Sequence, residues 1–373
     1  MGEKMGKNIK NIVKASSNGY LTYNDFINLS LYHPEFGYYH RKQQKIGADG
    51  DFITSSNVGD VFGRTLGRWF LYLFRKFQLN TAIIELGAGT GKTAQMILDV
   101  IKELDEELYS NLRYTLVETS SYHQTMQKQR LKDYDCVEYK KSLDDVNSFN
   151  GIIFSNEFFD AFPVHIIEKK QGQLLEAVVA VENDLFVEKY IPLRNPEILT
   201  YLHNQQLQLK EGQRIEIPLA MNRYYRQLTA KIESGLLLTI DYGYTNEEWG
   251  NPAHRSGSIR GFQRHRMVTE IFKHPGEIDI TTHIHWDCLR NCHNELGMET
   301  AAFMPQSEFL ISAGIFEEFH ETAGYDPFSL EHKRNRSIRS LIDPGQISAY
   351  FQVLVQTKNV KISRLFSPVS YKK

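Results

Sequence analysis

The order of apolar and polar residues along the chain predicts a sheet whose strands alternate with helices. An apolar run at 83–86 leads into three alternate glycines, and apolar residues then recur at helical spacing from 94 to 108. This pattern predicts a strand, a tight turn and a helix that begins near Gly91. Similar runs predict strands at 112–118, 135–139, 151–155, 235–244, 300–304 and 348–356, with helices at 120–132 and 310–319. Such alternation favours a doubly wound α/β sheet.

The remaining residues predict an N-terminal region and two insertions around this core. Thr22 followed by Asp25 is typical of a capping box at the start of a helix. Alternation of apolar and polar residues between 164 and 190 predicts antiparallel strands. The expected division is an N-terminal helical region at 1–80, a core at 81–163, 212–245 and 300–358, and substrate-side insertions at 164–211 and 246–299.

Composition excludes several classes of protein. Hydrophobic residues make up 41% of the 373, and no apolar run approaches the roughly 18 residues of a membrane span, so the sequence predicts a globular chain. The net charge of −2 argues against a general nucleic-acid or anionic-membrane surface. The three cysteines form no disulfide framework and no signal-peptide core follows the first residues, so we expect a cytoplasmic location.

The glycine-rich turn at 87–93 predicts a site for a nucleoside ligand, and three motifs compete for it. A phosphate-binding P-loop needs glycine at position 86, where Leu86 stands. A dinucleotide fingerprint needs its third glycine at the position of Lys92. The loop of S-adenosylmethionine enzymes fits at every position, with Glu85 facing the cationic methionine end of the cofactor. The glycines that would let the backbone approach the cofactor are Gly87, Gly89 and Gly91.

Polar residues at the ends of the next strands extend this predicted site. Ligands of a doubly wound sheet lie across the carboxyl ends of its strands. Glu118 ends the strand after the glycine loop, so we expect its carboxylate to accept hydrogen bonds from both ribose hydroxyls. Ser142 and Leu143 fall at the turn where such enzymes hold adenine.

The stretch 156–160 is the expected catalytic segment because it follows the fourth strand, next to the cofactor. It combines the amide of Asn156 with the carboxylates of Glu157 and Asp160. These groups can orient a nitrogen nucleophile, and a carboxylate pairs most strongly with a guanidinium that it holds through two hydrogen bonds. The sequence leaves open the alternative that Asn156 and Asp160 only cap a following helix.

One group of histidines and cysteines has the side chains of a zinc site but not its spacing. Its members are His283, His285, Cys288, Cys292 and His293. They include no C-x-x-C and no H-x-x-x-H pair, so we expect no bound metal.

Six segments together resemble the MidA-like methyltransferases, relatives of the mitochondrial complex I assembly factor that methylates an arginine. They are G-Y-Y at 37–39, G-D-F-I-T at 50–54, E-L-G-A-G-T-G at 85–91, N-E-F-F-D-A-F-P-V at 156–164, D-Y-G-Y at 241–244 and D-I-T-T-H at 279–283. The string at 156–164 is specific to the family, whereas the glycine loop alone is not. The resemblance extends from about residue 20 to about residue 355.

The resemblance implies a class I methyltransferase fold, a Rossmann-like sheet with an antiparallel last strand, and S-adenosyl-L-methionine as cofactor. It also implies that the segment with Phe52 and Thr54 folds over the cofactor. The implied acceptor is a protein arginine, for example in a subunit of a respiratory complex, and a homodimer is among the assemblies that the sequence allows. The chain departs from the family pattern at 55–57, where Ser-Ser-Asn replaces Ala-Pro-Glu, and at His285, where the family often has aspartate.

The resulting hypothesis is a methyltransferase in which Glu157, with Asp160, orients the substrate nitrogen and takes up positive charge. Two alternatives remain at this point. One is a non-catalytic, cofactor-binding assembly factor that uses its insertions as a protein-interaction surface. The other is a P-loop ATPase, in which Lys92 would bind nucleotide phosphates.

Overall fold

The computed structural model describes residues 2–41, 59–263, 266–291, 296–320, 326, 329–343, 345, 350–362 and 364–366. Its strands are β1 (Tyr20–Thr22), β2 (Ala82–Leu86), β3 (Arg113–Val117), β4 (Val137–Lys140), β5 (Phe149–Asn156), β6 (His165–Lys170), β7 (Gln173–Glu182), β8 (Leu185–Pro192), β9 (Arg214–Ile217), β10 (Ile232–Tyr244), β11 (Arg260–Gln263), β12 (Arg266–Val268), β13 (Asp279–Thr281), β14 (Ile284–His285), β15 (Glu299–Pro305) and β16 (Phe351–Lys358). Its helices are α1 (Gly2–Ala15), α2 (Tyr23–Tyr32), α3 (Val61–Phe77), α4 (Lys92–Leu104), α5 (Glu106–Ser110), α6 (Ser121–Arg130), α7 (Pro196–Asn204), α8 (Leu219–Lys231), α9 (Asn246–Trp249), α10 (Trp286–Asn291), α11 (Gln306–Ser312) and α12 (Leu330–Ile342).

Within the described residues, eight strands form the central sheet, in the order β15-β16-β10-β5-β2-β3-β4, with β14 also paired to β10. Strands β4, β3, β2, β5 and β10 are parallel, and β16 runs antiparallel to β10 and β15. The chain reverses its direction of winding between β2 and β5, which is where doubly wound sheets bind their ligands. The predicted fold class, a Rossmann-like α/β sheet with an antiparallel last strand, is confirmed.

The central strands are buried on both faces, which explains why their sequences are continuously apolar. In β2, Ile83 packs in the core beneath α3 and α4, whereas Ile84 packs in the opposite core with α8. In β10, Leu236 packs in the same core as Ile83, and Leu237 packs in the same core as Ile84. Helices therefore cover both faces of the sheet, and its strand ends are left to form a site.

A second, antiparallel sheet contains β1, β7, β6 and β9 in that order, with β8 also paired to β7. The strands predicted between 164 and 190 correspond to β6, β7 and β8. The N-terminal region joins this sheet, because β1 pairs with β7 and Phe26 of α2 packs in the same apolar cluster as Val179. Strand β9 falls within the predicted core range 212–245, yet it pairs with β6 through Ile215 and Ile217.

Two details of the chain differ from the sequence interpretation. A small sheet, in the order β12-β11-β13, lies within the second insertion and was not predicted, because its strands have only three or four residues. The helix predicted at 310–319 is wrong as one continuous element: α11 ends at Ser312, Gly314 has a φ of +93°, and a 3-10 helix, Ile315–Glu318, follows. None of the helices in the described ranges has the length and apolar character needed to cross a bilayer.

Candidate active site

The glycine loop turns sharply between β2 and α4 because its glycines adopt conformations that other residues avoid. Backbone φ is +64° at Gly87, +50° at Gly89 and +75° at Gly91. A Cβ atom at Gly87 would lie 2.6 Å from Cδ2 of Phe158, so a side chain there would force the Phe158 ring to shift. Gly91 caps the start of α4, whose first N–H groups are directed toward the loop. A ligand can therefore approach the backbone of this loop closely.

A cavity of about 540 Å³ opens beside this loop, at the carboxyl ends of β2, β3, β4 and β5. The predicted site residues that line it are Glu85, Gly87, Gly89, Glu118, Ser142, Leu143, Asn156 and Glu157. Gly91 lies behind the loop, next to Gln127. Phe52 and Thr54 lie outside the described residues.

Glu118 connects the end of β3 to the glycine loop. Its Oε2 accepts a hydrogen bond from the N–H of Gly89 at 3.1 Å, and its Oε1 accepts one from the N–H of Ser120 at 2.8 Å. Nδ1 of His123 lies 3.6 Å from Oε2. An ionised carboxylate has about four acceptor positions. Glu118 is therefore fixed at the cavity wall and can still accept hydrogen bonds from a ligand.

Glu85 is buried at the end of β2, where its Oε2 accepts a hydrogen bond from the hydroxyl of Tyr114 at 2.8 Å. Burial raises the pKa of Glu85 to about 8. A cation close to a buried carboxylate favours its charged form. Glu85 therefore suits the cationic end of a ligand in this cavity.

Glu157 has an unusual backbone conformation, with a φ of 51°. This left-handed region costs a residue with a side chain on the order of 1–2 kcal/mol, and such strain is concentrated at functional sites. The N–H of Glu157 donates to the carbonyl of Ile240 at 2.9 Å, and Nδ2 of Asn156 donates to Oε1 of Glu157 at 3.1 Å. Oδ1 of Asn156 has no hydrogen-bond partner within the described residues.

Asp160 is placed differently from Glu157. It lies in a 3-10 helix, Phe159–Ala161, and its buried carboxylate accepts a hydrogen bond from the hydroxyl of Tyr242. Burial raises the pKa of Asp160 to about 6. Because the 3-10 helix turns Asp160 into the protein, the structure does not bring its carboxylate to the cavity wall beside Glu157.

Several cavity residues come from segments that the sequence did not connect with the site. Asn24, Asn28 and Tyr32 of α2 line the cavity, as do Arg223 and Tyr224 of α8. These positions follow no motif, and only the packing of their helices brings them to the strand ends.

Tyr39 also lines the cavity, and it belongs to the G-Y-Y segment of the sequence resemblance. Its ring stacks on Tyr32 with centroids 5.4 Å apart, and its hydroxyl donates to Asp279 at 2.7 Å. Oγ of Ser120 donates to its carbonyl at 2.7 Å. The N-terminal region is thus held against the end of β3, next to Glu118.

Comparison with known proteins decides the family. The family with the description "Putative S-adenosyl-L-methionine-dependent methyltransferase" matches residues 65–304, more than half of the chain. This chain belongs to that family. The predicted cofactor, S-adenosyl-L-methionine, and the predicted enzyme class, methyltransferase, are both confirmed.

The matches between this methyltransferase and its relatives cover most of its length. It is 25% identical over 372 residues to the mitochondrial protein arginine methyltransferase NDUFAF7 of Danio rerio, covering 91% of this chain and 84% of the relative. It is 25% identical over 307 residues to the mitochondrial homolog of Drosophila melanogaster, covering 74% and 68%. A superfamily member from Burkholderia thailandensis, solved bound to S-adenosyl-homocysteine, has a TM-score of 0.87 at 25% identity and covers 98% of this chain and 94% of its own.

The predicted cytoplasmic location is wrong when compared with these relatives, because the fish and fly proteins are mitochondrial. The prediction depended on the cysteine content and on the absence of a signal-peptide core. A chain without a disulfide framework fits any reducing compartment, so these features do not distinguish one such compartment from another.

His283 and His285, the two described histidines of the group that lacks zinc-site spacing, have separate partners in this methyltransferase. Nε2 of His283 contacts the guanidinium of Arg260, and Nδ1 of His285 lies 2.8 Å from the hydroxyl of Tyr201. Burial lowers the pKa of each histidine to about 3. Cys288 is buried in the core with α10, and Cys292 and His293 lie outside the described residues.

The raised pKa of Glu85 predicts a pH dependence of folding. The folded chain keeps a proton on Glu85 up to about pH 8, whereas an ordinary glutamate releases it near 4.5, so stability is lost as pH rises through this window. We expect Glu85→Gln to flatten this decline, by at most about 1.4 kcal/mol per pH unit. Urea unfolding of the cofactor-free protein at several pH values measures it, with Glu138→Gln on the exposed side of β4 as control. Equal slopes in all three proteins would contradict the burial argument.

Proposed function

We propose that this methyltransferase transfers the methyl group of S-adenosyl-L-methionine to an arginine side chain of a protein. The observation that carries the proposal is the carboxylate of Glu157, which lines the cavity directly after β5. The amide N–H of Asn156 donates to Oε1 of this carboxylate and fixes its orientation at the cavity wall. A guanidinium has five N–H donors and no acceptor, and so complements a carboxylate.

The cavity residues of the proposed cofactor site have distinct tasks. The backbone at Gly87 and Gly89, which lines the cavity without side chains, lets the cofactor approach closely. Glu118 binds the ribose hydroxyls while it holds Gly89. Ser142 and Leu143 contact adenine at the end of β4, and Glu85 faces the methionine end.

Bound S-adenosyl-L-methionine supplies an electrophilic methyl group on a sulfonium sulfur, and this sulfur is the leaving group, as the thioether of S-adenosylhomocysteine. Glu157 accepts hydrogen bonds from the guanidinium, so that the attacking nitrogen is aligned before a bond forms. The same carboxylate stabilises the positive charge that the nitrogen carries as the methyl group is transferred, and it accepts the proton that the methylated nitrogen then releases. Asn156 fixes the orientation of that carboxylate. Asp160, which is bonded to Tyr242 away from the cavity, has no substrate contact in this proposal.

The curated relatives support the choice of acceptor, since those of Danio rerio and Drosophila melanogaster are named as protein arginine methyltransferases. The acceptor we propose is accordingly a protein rather than a small molecule.

Transfer of tritium from methyl-labelled S-adenosyl-L-methionine into the proteins of a lysate of the source cells tests this function. We expect discrete labelled protein bands that need the purified enzyme and disappear when excess S-adenosylhomocysteine competes for the cofactor site. Cofactor binding without any labelled protein would contradict the proposal and would favour a non-catalytic assembly factor.

A further inference from the structure

The strained conformation of Glu157 raises the question of what maintains it. The residue lies at the point where β5 ends beside β10, with Asn156 paired to Ile240. Its own N–H is bonded to the carbonyl of Ile240 at 2.9 Å. The residue after Ile240 is Asp241, which is fully buried and has no part in the methyl-transfer steps proposed above.

The carboxylate of Asp241 accepts hydrogen bonds from the backbone N–H groups that follow Glu157. Its Oδ2 accepts hydrogen bonds from the N–H groups of Phe158 at 3.3 Å, Phe159 at 2.9 Å and Asp160 at 3.3 Å. Its Oδ1 accepts one from the N–H of Tyr242 at 2.9 Å. One carboxylate oxygen therefore binds three successive peptide groups of the segment that begins at Glu157.

We propose that Asp241 is a positioning residue that aims the Glu157 carboxylate at the substrate, an inference that rests on the proposed role of Glu157. The peptide group before the Cα of Glu157 is held by Ile240 and the one after it by Asp241. With both fixed, the backbone stays in its left-handed conformation although a glutamate disfavours it. Without the carboxylate, the buried N–H groups lose their acceptor and the turn relaxes to another conformation.

Replacement of Asp241 separates this role from simple folding. Asp241→Ala removes the acceptor, and we expect the rate of methyl transfer into lysate proteins to fall at least about 10-fold. The affinity for S-adenosylhomocysteine, measured by calorimetry, should stay within about 3-fold of wild type, since the glycine loop and Glu118 are unchanged. Asp241→Asn should restore most of the rate, because its amide oxygen can face the three N–H groups of the loop. Asp241→Ser is a second, smaller change in the side chain, and we expect it also to lower the rate of methyl transfer.

Glu216→Ala is the matched control, because Glu216 is also fully buried and accepts hydrogen bonds from backbone N–H groups, those of Ser258 and Ile259. It lies in the second sheet and does not line the cavity. We expect it to lower thermal stability but to leave the transfer rate per folded molecule unchanged.

The double variant Asp241→Ala with Glu157→Gln decides whether Asp241 acts through Glu157. Single-turnover transfer with tritiated cofactor resolves the slow residual rates. If Asp241 acts through Glu157, the double variant is no slower than Glu157→Gln alone. A further loss equal to that of Asp241→Ala alone would overturn the positioning role while leaving the proposed function intact. A wild-type rate for Glu157→Gln alone would instead overturn the role of Glu157, and the present inference with it.

Discussion

Glu157→Gln is expected to lower methyl transfer by about 100-fold or more while S-adenosylhomocysteine binds with nearly unchanged affinity. Glutamine keeps the shape of the side chain, so the left-handed turn remains, with the N–H of residue 157 bonded to Ile240 and that of Phe158 bonded to Asp241. It removes the negative charge and replaces one acceptor oxygen by an N–H donor that repels a guanidinium. The loss should therefore appear in the chemical step, measured as the rate of tritium transfer at saturating cofactor.

Glu182→Gln is the control for this change, because Glu182 is exposed in the second sheet and pairs only with Lys189 among the ion pairs of the described residues. We expect it to transfer methyl groups at the wild-type rate. If Glu157→Gln were as active as Glu182→Gln, the carboxylate would have no role in orienting the acceptor nitrogen.

Glu118→Ala is expected to weaken S-adenosylhomocysteine binding by at least about 10-fold, the second large effect. The change has two consequences in the cavity. It removes the acceptors proposed for the ribose hydroxyls, and it leaves the N–H of Gly89 and that of Ser120 without their partner. The loop that approaches the cofactor is then less well ordered before binding.

Isothermal titration calorimetry measures this effect, with Glu138→Ala as control because that exposed residue belongs to the neighbouring strand β4. The thermal stability of each variant without ligand separates a binding defect from unfolding. Equal affinities of Glu118→Ala and wild type would remove Glu118 from the cofactor site.

The central sheet could be predicted from the sequence because strands buried on both faces are continuously apolar, as in β2 and β10. Glu85, Glu118 and Glu157 could be assigned to one cavity, since parallel strands end at a common edge. For these residues the position in sequence defines the position in space, because each lies at or directly after the carboxyl end of a strand that its apolar residues identify.

Other parts of the site depend on tertiary packing that no local pattern contains. Asn24 and Tyr32 reach the cavity because β1 joins the inserted sheet and places α2 over the strand ends. Asp160 is only three residues from Glu157, yet a 3-10 helix turns it into the core. The role inferred for Asp241 likewise depends on which N–H groups meet its carboxylate.

The identity of the methylated residue tests the central claim most directly. Lysate proteins labelled with tritium by the wild-type enzyme are hydrolysed completely, and the labelled amino acid is identified by chromatography and mass spectrometry. The account predicts that the tritium is recovered as methylated arginine, and that Glu157→Gln lowers the rate at which this product forms by about 100-fold or more. Recovery of the label in methylated lysine, or in methanol or methylamine released on hydrolysis from a carboxyl ester or a methylated glutamine, would contradict it.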